Sequence, residues 1–313
     1  MAELTRRSLM QTAAATAAAS ALAAVSAGAR AQTSAPSGAA GLRVERDIVF
    51  GKGGDKDLLL DVYHPAEDVT PKRTAIVHLF GGGFRTGNKA AQYVVNNVAA
   101  LARLGYTNVS GTYRLQSEVP WPAQLHDTKA AIRWTRANAD RIGVDADKIV
   151  IAGYSAGGML ALLAAGTNGV DEFEGEGGNA GVSSDVQACV AVYPATSGEM
   201  ARGLFAPGLS EAELADAIEA ASPTTYIGER FAPTILIHGT DDGTIPVSSS
   251  IEFFRGLKEH GVPAALTLIQ GADHVFDNTE LDAVEVMARS ADLFLDRLIV
   301  DPKPYPRFRP GGG

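Results

Sequence analysis

Gly153-Tyr154-Ser155-Ala156-Gly157 is the segment whose residue types and spacing point most directly to chemistry. A serine with glycine two residues away on each side suits a sharp strand-to-helix turn. Larger side chains would clash at the flanking positions, and the turn lifts the serine hydroxyl to the carboxyl end of a sheet. The context agrees: Ile149–Ala152 is an apolar, strand-like run, and a helical pattern starts directly after Ser155. The chemistry would be nucleophilic attack by Ser155. Serine alone is a weak nucleophile, so a positioned base is required.

Six histidines are available. His64 precedes Pro65 after an early strand, His78 falls inside a buried strand, and His126 and His260 fall on helices. His238 and His274 stand at or after the carboxyl ends of late strands, where open α/β sheets meet their ligands. The chain order nucleophile, acid, base, usual in serine hydrolases built on such sheets, selects His274. Asp241 and Asp242 lie between, just after His238-Gly239-Thr240. The acid must reach His274 Nδ1, fix its tautomer and stabilise the imidazolium. Spacing alone leaves either aspartate possible.

Gly81-Gly82-Gly83-Phe84 follows the apolar run Thr74–Leu79. A glycine loop there exposes backbone N–H groups that, with the N–H of Ala156, could stabilise an oxyanion. A phosphate-binding loop would need a following Lys-Ser/Thr or a dinucleotide spacing, and neither is present.

These residues need a scaffold that gathers them. Val44–Phe50 and Leu58–Tyr63 read as a hairpin around Gly51-Lys52-Gly53-Gly54. Beyond it, strands at Thr74–Leu79, Tyr106–Ser110, Lys148–Ala152, Ala188–Tyr193, Thr234–Ile237 and Ala265–Ile269 alternate with helices. The helices are Lys89–Leu104, Trp121–Asn138, Ala156–Ala165, Val247–His260 and Asn278–Leu298. That alternation means βαβ units and a mostly parallel sheet, with antiparallel strands at one edge. Two stretches interrupt it. Residues 170–185 are rich in glycine and acid, and residues 197–221 hold a helical segment with Ser210 as N-cap and Glu213 three residues on. Long insertions of this kind suggest a small lid.

The amino terminus reads as a targeting segment. Arg6-Arg7 forms a twin-arginine pattern, an alanine-rich stretch follows, and Ala29-Arg30-Ala31 suits cleavage before Gln32. Residues 1–31 are thus expected to be a signal peptide, 32–42 a flexible linker, 43–300 the catalytic domain, and 301–313 a Pro/Gly-rich tail. Export to the periplasm or beyond follows, with no stable membrane insertion once the signal is removed. The net charge of −9 and the lack of a basic cluster argue against a nucleic-acid partner. The one cysteine, Cys189, cannot form an internal disulfide and sits in an apolar run.

Taken together, the sequence resembles the α/β-hydrolase carboxylesterases, in the branch of hormone-sensitive-lipase-like and acetylxylan or feruloyl esterase-like enzymes. The likeness runs from about Leu58 to about Leu298. It is carried by Gly81-Gly82-Gly83-Phe84-Arg85-Thr86-Gly87, Tyr113-Arg114-Leu115, Trp121-Pro122-Ala123-Gln124 with Asp127, and Gly153 to Gly158. Ser222-Pro223, His238-Gly239-Thr240-Asp241-Asp242 and Gly271-Ala272-Asp273-His274-Val275-Phe276 complete it. The resemblance implies an α/β-hydrolase fold with a small lid, and Asp242 as the acid beside Ser155 and His274. It further implies oxyanion N–H groups from Gly82, Gly83 and Ala156, and no metal or organic cofactor. Expected substrates are small or polysaccharide-linked esters with short acyl groups, such as acetyl or feruloyl. Many relatives carry histidine before the glycines, to brace the loop; here Phe80 stands there. An amidase or exopeptidase of the same fold would need a longer lid or an added propeller. A non-catalytic binding module would have no need of an intact Ser155, Asp242 and His274.

Overall fold

Unbroken apolar runs decide the architecture, because a strand covered on both faces carries no polar alternation. In the computed structural model, which describes residues 39–305, β3 (Ala75–Leu79), β5 (Ile149–Tyr154), β6 (Ala188–Val192) and β7 (Thr234–Gly239) are buried throughout. With β1 (Val44–Gly53), β2 (Lys56–Tyr63), β4 (Thr107–Gly111) and β8 (Ala264–Ile269) they form one eight-stranded sheet, ordered β1-β2-β4-β3-β5-β6-β7-β8. β1 and β2 are an antiparallel hairpin, and β2 runs antiparallel to β4. From β4 to β8 every pairing is parallel.

Helices α1 (Gln92–Ala102), α2 (Ala123–Ala137), α3 (Ala139–Ile142), α4 (Ala156–Gly166), α5 (Glu211–Ala220) and α6 (Val247–Glu259) occupy the connections, and α7 (Leu281–Leu295) follows the last strand. α4 is buried along nearly its whole length, as its Ala/Leu/Met composition requires. α7 buries Val284, Met287, Ala288, Ala291 and Leu295, the spacing of one helical face. Among the described residues no helix is long and apolar enough to cross a membrane.

The boundaries differ from the sequence expectation where side chains are held elsewhere. α1 starts at Gln92 rather than Lys89, because Lys89 Nζ pairs with Asp61 and Asp47 and its carbonyl accepts from Ser110 Oγ. α7 starts at Leu281 rather than Asn278, because the carbonyls of Asp277 and Asn278 accept from Asn96 Nδ2. The expected signal peptide, and most of the expected linker and tail, lie outside the described residues. Of the linker, Ala39 is buried in the core and Leu42 packs against it, so its last residues belong to the domain.

Residues 170–185 are fastened down. Glu174 receives Lys129 Nζ at 3.0 Å and Arg133 Nη1 at 2.8 Å, both from α2, and Ser184 Oγ at 2.5 Å. Lys129 and Arg133 are buried, so the segment supplies the charge that makes their burial tolerable. The other insertion forms a 3-10 turn at Gly198–Leu204 and then α5, which starts with the expected Ser210/Glu213 capping box.

Candidate active site

Chain order reverses direction across the sheet between β3 and β5, which are adjacent, and open α/β sheets bind ligands at such a point. Leu79 at the end of β3 is in register with Gly153 of β5. The glycine loop and the Ser155 turn therefore leave the sheet side by side. The loops after β6, β7 and β8 emerge at the same end.

Ser155 has φ 54° and ψ −117°, a strained conformation for a residue with a side chain. The flanking glycines permit it. A Cβ on Gly153 would sit 2.0 Å from Gly157 O, and one on Gly157 would sit 2.3 Å from the carbonyls of Leu79 and Phe80. Ser155 N–H donates to Val192 O at 3.0 Å, which ties the turn to β6. α4 then begins at Ala156, its positive end directed at the serine.

His274 Nε2 lies 2.9 Å from Ser155 Oγ, and its Nδ1 lies 2.7 Å from Asp242 Oδ2. These contacts span 119 and 32 residues of chain. The Asp242 carboxylate is fully buried and the His274 side chain 12 % exposed. Burial alone would raise the Asp242 pKa. Bonds from His238, His274 and the Ile245 N–H outweigh it and hold the carboxyl well below the usual range. The Nδ1 proton of His274 is thereby fixed, and Nε2 is left free to accept from Ser155. Asp241 does not approach His274. It is exposed, its Oδ1 accepts from Thr240 Oγ1, and its N–H donates to Ala272 O.

The glycine loop is braced by two tyrosines, Tyr113 from a motif quoted above without a role and Tyr93, which the sequence did not single out. Tyr113 Oη donates to Phe80 O at 2.9 Å, and its ring stacks on Phe80 with centroids 4.2 Å apart. Tyr93 Oη accepts the N–H of Gly81 at 2.8 Å. The Gly81 donor is thus occupied. The N–H groups of Gly82, Gly83 and Ala156 have no recorded acceptor among the described residues. Phe80 replaces a bracing histidine by stacking. His78 turns away from the loop, into the core, where it meets Asn108 Oδ1 at 2.9 Å and Tyr154 Oη at 3.1 Å; burial lowers its pKa to about 4.

The other quoted motif residues shape the rim. Arg114 makes a two-pronged pair with Asp127, 2.8 Å on each side. Gln116 N–H donates to Phe84 O at 2.9 Å, and its amide bridges Gly203 O at 3.2 Å and Arg85 Nε at 3.1 Å. Trp121 N–H donates to Leu204 O at 2.9 Å. The turn at Gly198–Leu204 therefore rests directly on the glycine loop and its neighbours.

Three further residues take places in the site that the sequence did not assign to them. His238 was weighed there as a base; instead its Nε2 lies 3.1 Å from Asp242 Oδ2 and 3.0 Å from Ile245 O, and its Nδ1 2.7 Å from Ser250 Oγ. Tyr193 and Asp277 form a buried pair behind His274. An acid within the apolar run after His274 was the available hint for Asp277. Among the described residues no group of three or more His, Cys, Asp or Glu could hold a metal ion.

A family model described as BD-FAE matches residues 60–257. The chain belongs to the BD-FAE family. The matched span includes the glycine loop, Ser155 and Asp242 and ends before His274. This family member is 30 % identical over 259 residues to esterase LipC of Mycobacterium tuberculosis, covering 79 % of this chain and 64 % of the relative. It is 29 % identical to esterase LipQ of the same organism, covering 80 % and 61 %. The chain thus spans about three-fifths of the length of these curated relatives. Among solved structures, the thermophilic esterase Est2 of Thermogutta terrifontis matches with a TM-score of 0.69 and 31 % identity, over 85 % of this chain and 96 % of that one. A truncated carbohydrate esterase from gut microbiota matches with a TM-score of 0.73 over 84 % and 99 %. At 24 % identity that likeness speaks for the fold alone. The fold is that of the α/β-hydrolase esterases, as the sequence resemblance led one to expect.

Proposed function

We propose that the protein is a serine carboxylesterase with Ser155 as nucleophile, His274 as general base and acid, and Asp242 as the supporting carboxylate. One observation carries the reading: the continuous path Ser155 Oγ, His274 Nε2, His274 Nδ1, Asp242 Oδ2, with steps of 2.9 and 2.7 Å across the ring. Ser155 Oγ attacks the ester carbonyl while His274 takes its proton. The oxyanion settles on the N–H groups of Gly82, Gly83 and Ala156. His274 then protonates the leaving alcohol, and in the second half activates the water that releases the acid. The family membership and the esterase names of LipC, LipQ and Est2 support this chemistry.

The acyl group is proposed to be short, such as acetyl or feruloyl on plant polysaccharide. Structures of the Thermogutta terrifontis esterase are described with butyrate and with propionate bound, in line with a small acyl pocket. The twin-arginine pattern and Ala29-Arg30-Ala31 support export to the periplasm or beyond. Fluorophosphonate labelling followed by peptide mapping tests the core of the reading. A single adduct on Ser155 is expected, together with turnover of p-nitrophenyl acetate. Labelling elsewhere, or no turnover of any ester from acetyl to dodecanoyl, would overturn it. A mature amino terminus at Gln32 in exported material is the corresponding test of localisation.

A further inference from the structure

Behind the imidazole of His274 lies a second, wholly buried acid. The segment His274-Val275-Phe276-Asp277 wraps around Tyr193. The His274 ring lies 4.7 Å from the Tyr193 ring, Phe276 meets it edge-on at 5.7 Å, and Tyr193 Oη donates to Asp277 Oδ1 at 2.7 Å. Two backbone outliers make the wrap possible. Val275, a β-branched residue, holds φ 57°, and Tyr193 holds φ 36°. Non-glycine residues persist in that region only where their surroundings compel it, and such outliers gather at functional sites.

The second oxygen of Asp277 accepts from Asn97 Nδ2 of α1 at 2.7 Å. Both oxygens therefore face donors, the arrangement that suits a carboxylate rather than a carboxylic acid. Burial raises the Asp277 pKa, to about 6, against the bonds from Tyr193 and Asn97. The titratable groups that act on or are acted on by it are Tyr93 from α1, Tyr154 from β5, Tyr193 at the end of β6, and His274 on its own loop. The tyrosines stay protonated, their pKa values raised by burial. Of these groups only His274 becomes cationic during acyl transfer.

We propose that Asp277 and Tyr193 are positioning residues: the Tyr193 phenol, anchored by Asp277, sets the plane of the His274 imidazole, and the Asp277 carboxylate supports the imidazolium as a second buried acid beside Asp242. The inference rests on the reading of His274 as the base. It places the charge where a proton accepted from Ser155 would be stabilised, without touching the substrate.

The test reads His274 directly and does not depend on turnover. The imidazole of His274 is titrated by nitrogen-15 NMR in the Ser155→Ala protein, alone and combined with Asp277→Asn or Tyr193→Phe. Loss of the Asp277 charge should lower the His274 midpoint by on the order of half a pH unit. In the active protein, Asp277→Asn should lower kcat roughly threefold at every pH above 7, the factor that half a pH unit represents, with KM nearly constant. Tyr193→Phe keeps the ring and removes one donor to Asp277, so ionisation of that carboxyl is delayed. Its kcat should fall most near pH 6–7 and recover towards pH 9. If Asp277→Asn does not fold, Tyr193→Phe carries the test. An unchanged His274 titration in the folded variants overturns the proposal. Absence of ester turnover in the unmodified protein overturns the esterase reading instead, and the titration still decides the role of Asp277.

Discussion

His238 Nε2 lies 3.1 Å from Asp242 Oδ2, the same oxygen that receives His274 Nδ1 at 2.7 Å. Its other near partner, Ile245 O at 3.0 Å, is also an acceptor, so the proton on His238 resides on Nε2. Asp242 is thus held at Oδ2 by two histidines and at Oδ1 by the N–H groups of Thr244 and Ile245, each at 2.8 Å. A carboxylate with that many donors has no freedom to swing away from His274. His238→Ala should therefore lower kcat by roughly tenfold and destabilise the fold by about 2–3 kcal/mol, because Asp242 and Ser250 each lose a buried partner. His238→Gln, which can still donate to Asp242, should recover most of the activity. Equal kcat for the alanine and parent proteins would refute the supporting role.

The two adjacent aspartates should separate sharply. Asp242→Asn presents an amide N–H towards His274 and favours the wrong tautomer, so kcat should drop by roughly 10⁴. Asp241→Asn alters a side chain bonded only to Thr240 Oγ1 and should leave kcat within about twofold of the parent. Steady-state rates on p-nitrophenyl acetate decide it. The reverse ranking would reassign the acid.

The serine turn predicts a gradient of glycine tolerance. Gly157→Ala would drive a Cβ to 2.3 Å from two backbone carbonyls, and Gly153→Ala to 2.0 Å from a third. Neither can be relieved by a side-chain rotation, and loss of soluble folded protein is expected. Gly158→Ala meets the Pro194 Cβ at 3.0 Å and should cost about 1–2 kcal/mol. Comparative melting curves provide the check, and a Gly157→Ala protein as stable as the parent would show the turn to be otherwise.

Glu174 is expected to hold residues 170–185 against α2. Glu174→Gln removes the carboxylate paired with the buried Lys129 and Arg133, leaving Lys129 only the charge of Asp185, with which it is not paired. Breaking a fully buried pair costs about 3–5 kcal/mol; Glu174 is 29 % exposed, so about 1–3 kcal/mol is expected here. Limited proteolysis should also begin to cut within 170–185. A variant with unchanged melting temperature and cleavage pattern would mean the segment is free to act as a lid.

Stability should respond to pH in two windows of opposite sign. The Asp242 carboxyl is held below its unfolded value, so its contribution is present above about pH 4 and lost as pH falls towards the folded pKa. Burial raises the Asp277 carboxyl to about 6, so the unfolded chain ionises first. Its contribution is greatest below about pH 4 and declines up to about pH 6, by on the order of 3 kcal/mol. Urea unfolding of the parent and Asp277→Asn should therefore show the parent losing ground to the variant between pH 4 and 6.5, then no further change. A difference independent of pH would mean Asp277 ionises normally.

Much of the site was legible in the sequence because its hardest constraints are local. The clash that demands glycine at 153 is with Gly157 O inside the same turn, so the spacing marks Ser155 as the candidate nucleophile; at 157 the clash is with the Leu79 and Phe80 carbonyls of the neighbouring strand end, which only the sheet brings there. Apolar runs interleaved with helical patterns sufficed for a parallel sheet, and chain order singled out His274. Asp241 and Asp242 were inseparable by spacing, since adjacent residues in a turn point in different directions; the family pattern chose Asp242, and it is Asp242 that lies against His274. What only the tertiary structure decided are the partners from separate strands and helices: Tyr93 and Tyr113 on the glycine loop, and Tyr193 and Asn97 on Asp277, across 84 and 180 residues. Strand order and register bring those side chains within 3 Å. They are properties of how the whole sheet closes on its core, which no local pattern of residues encodes.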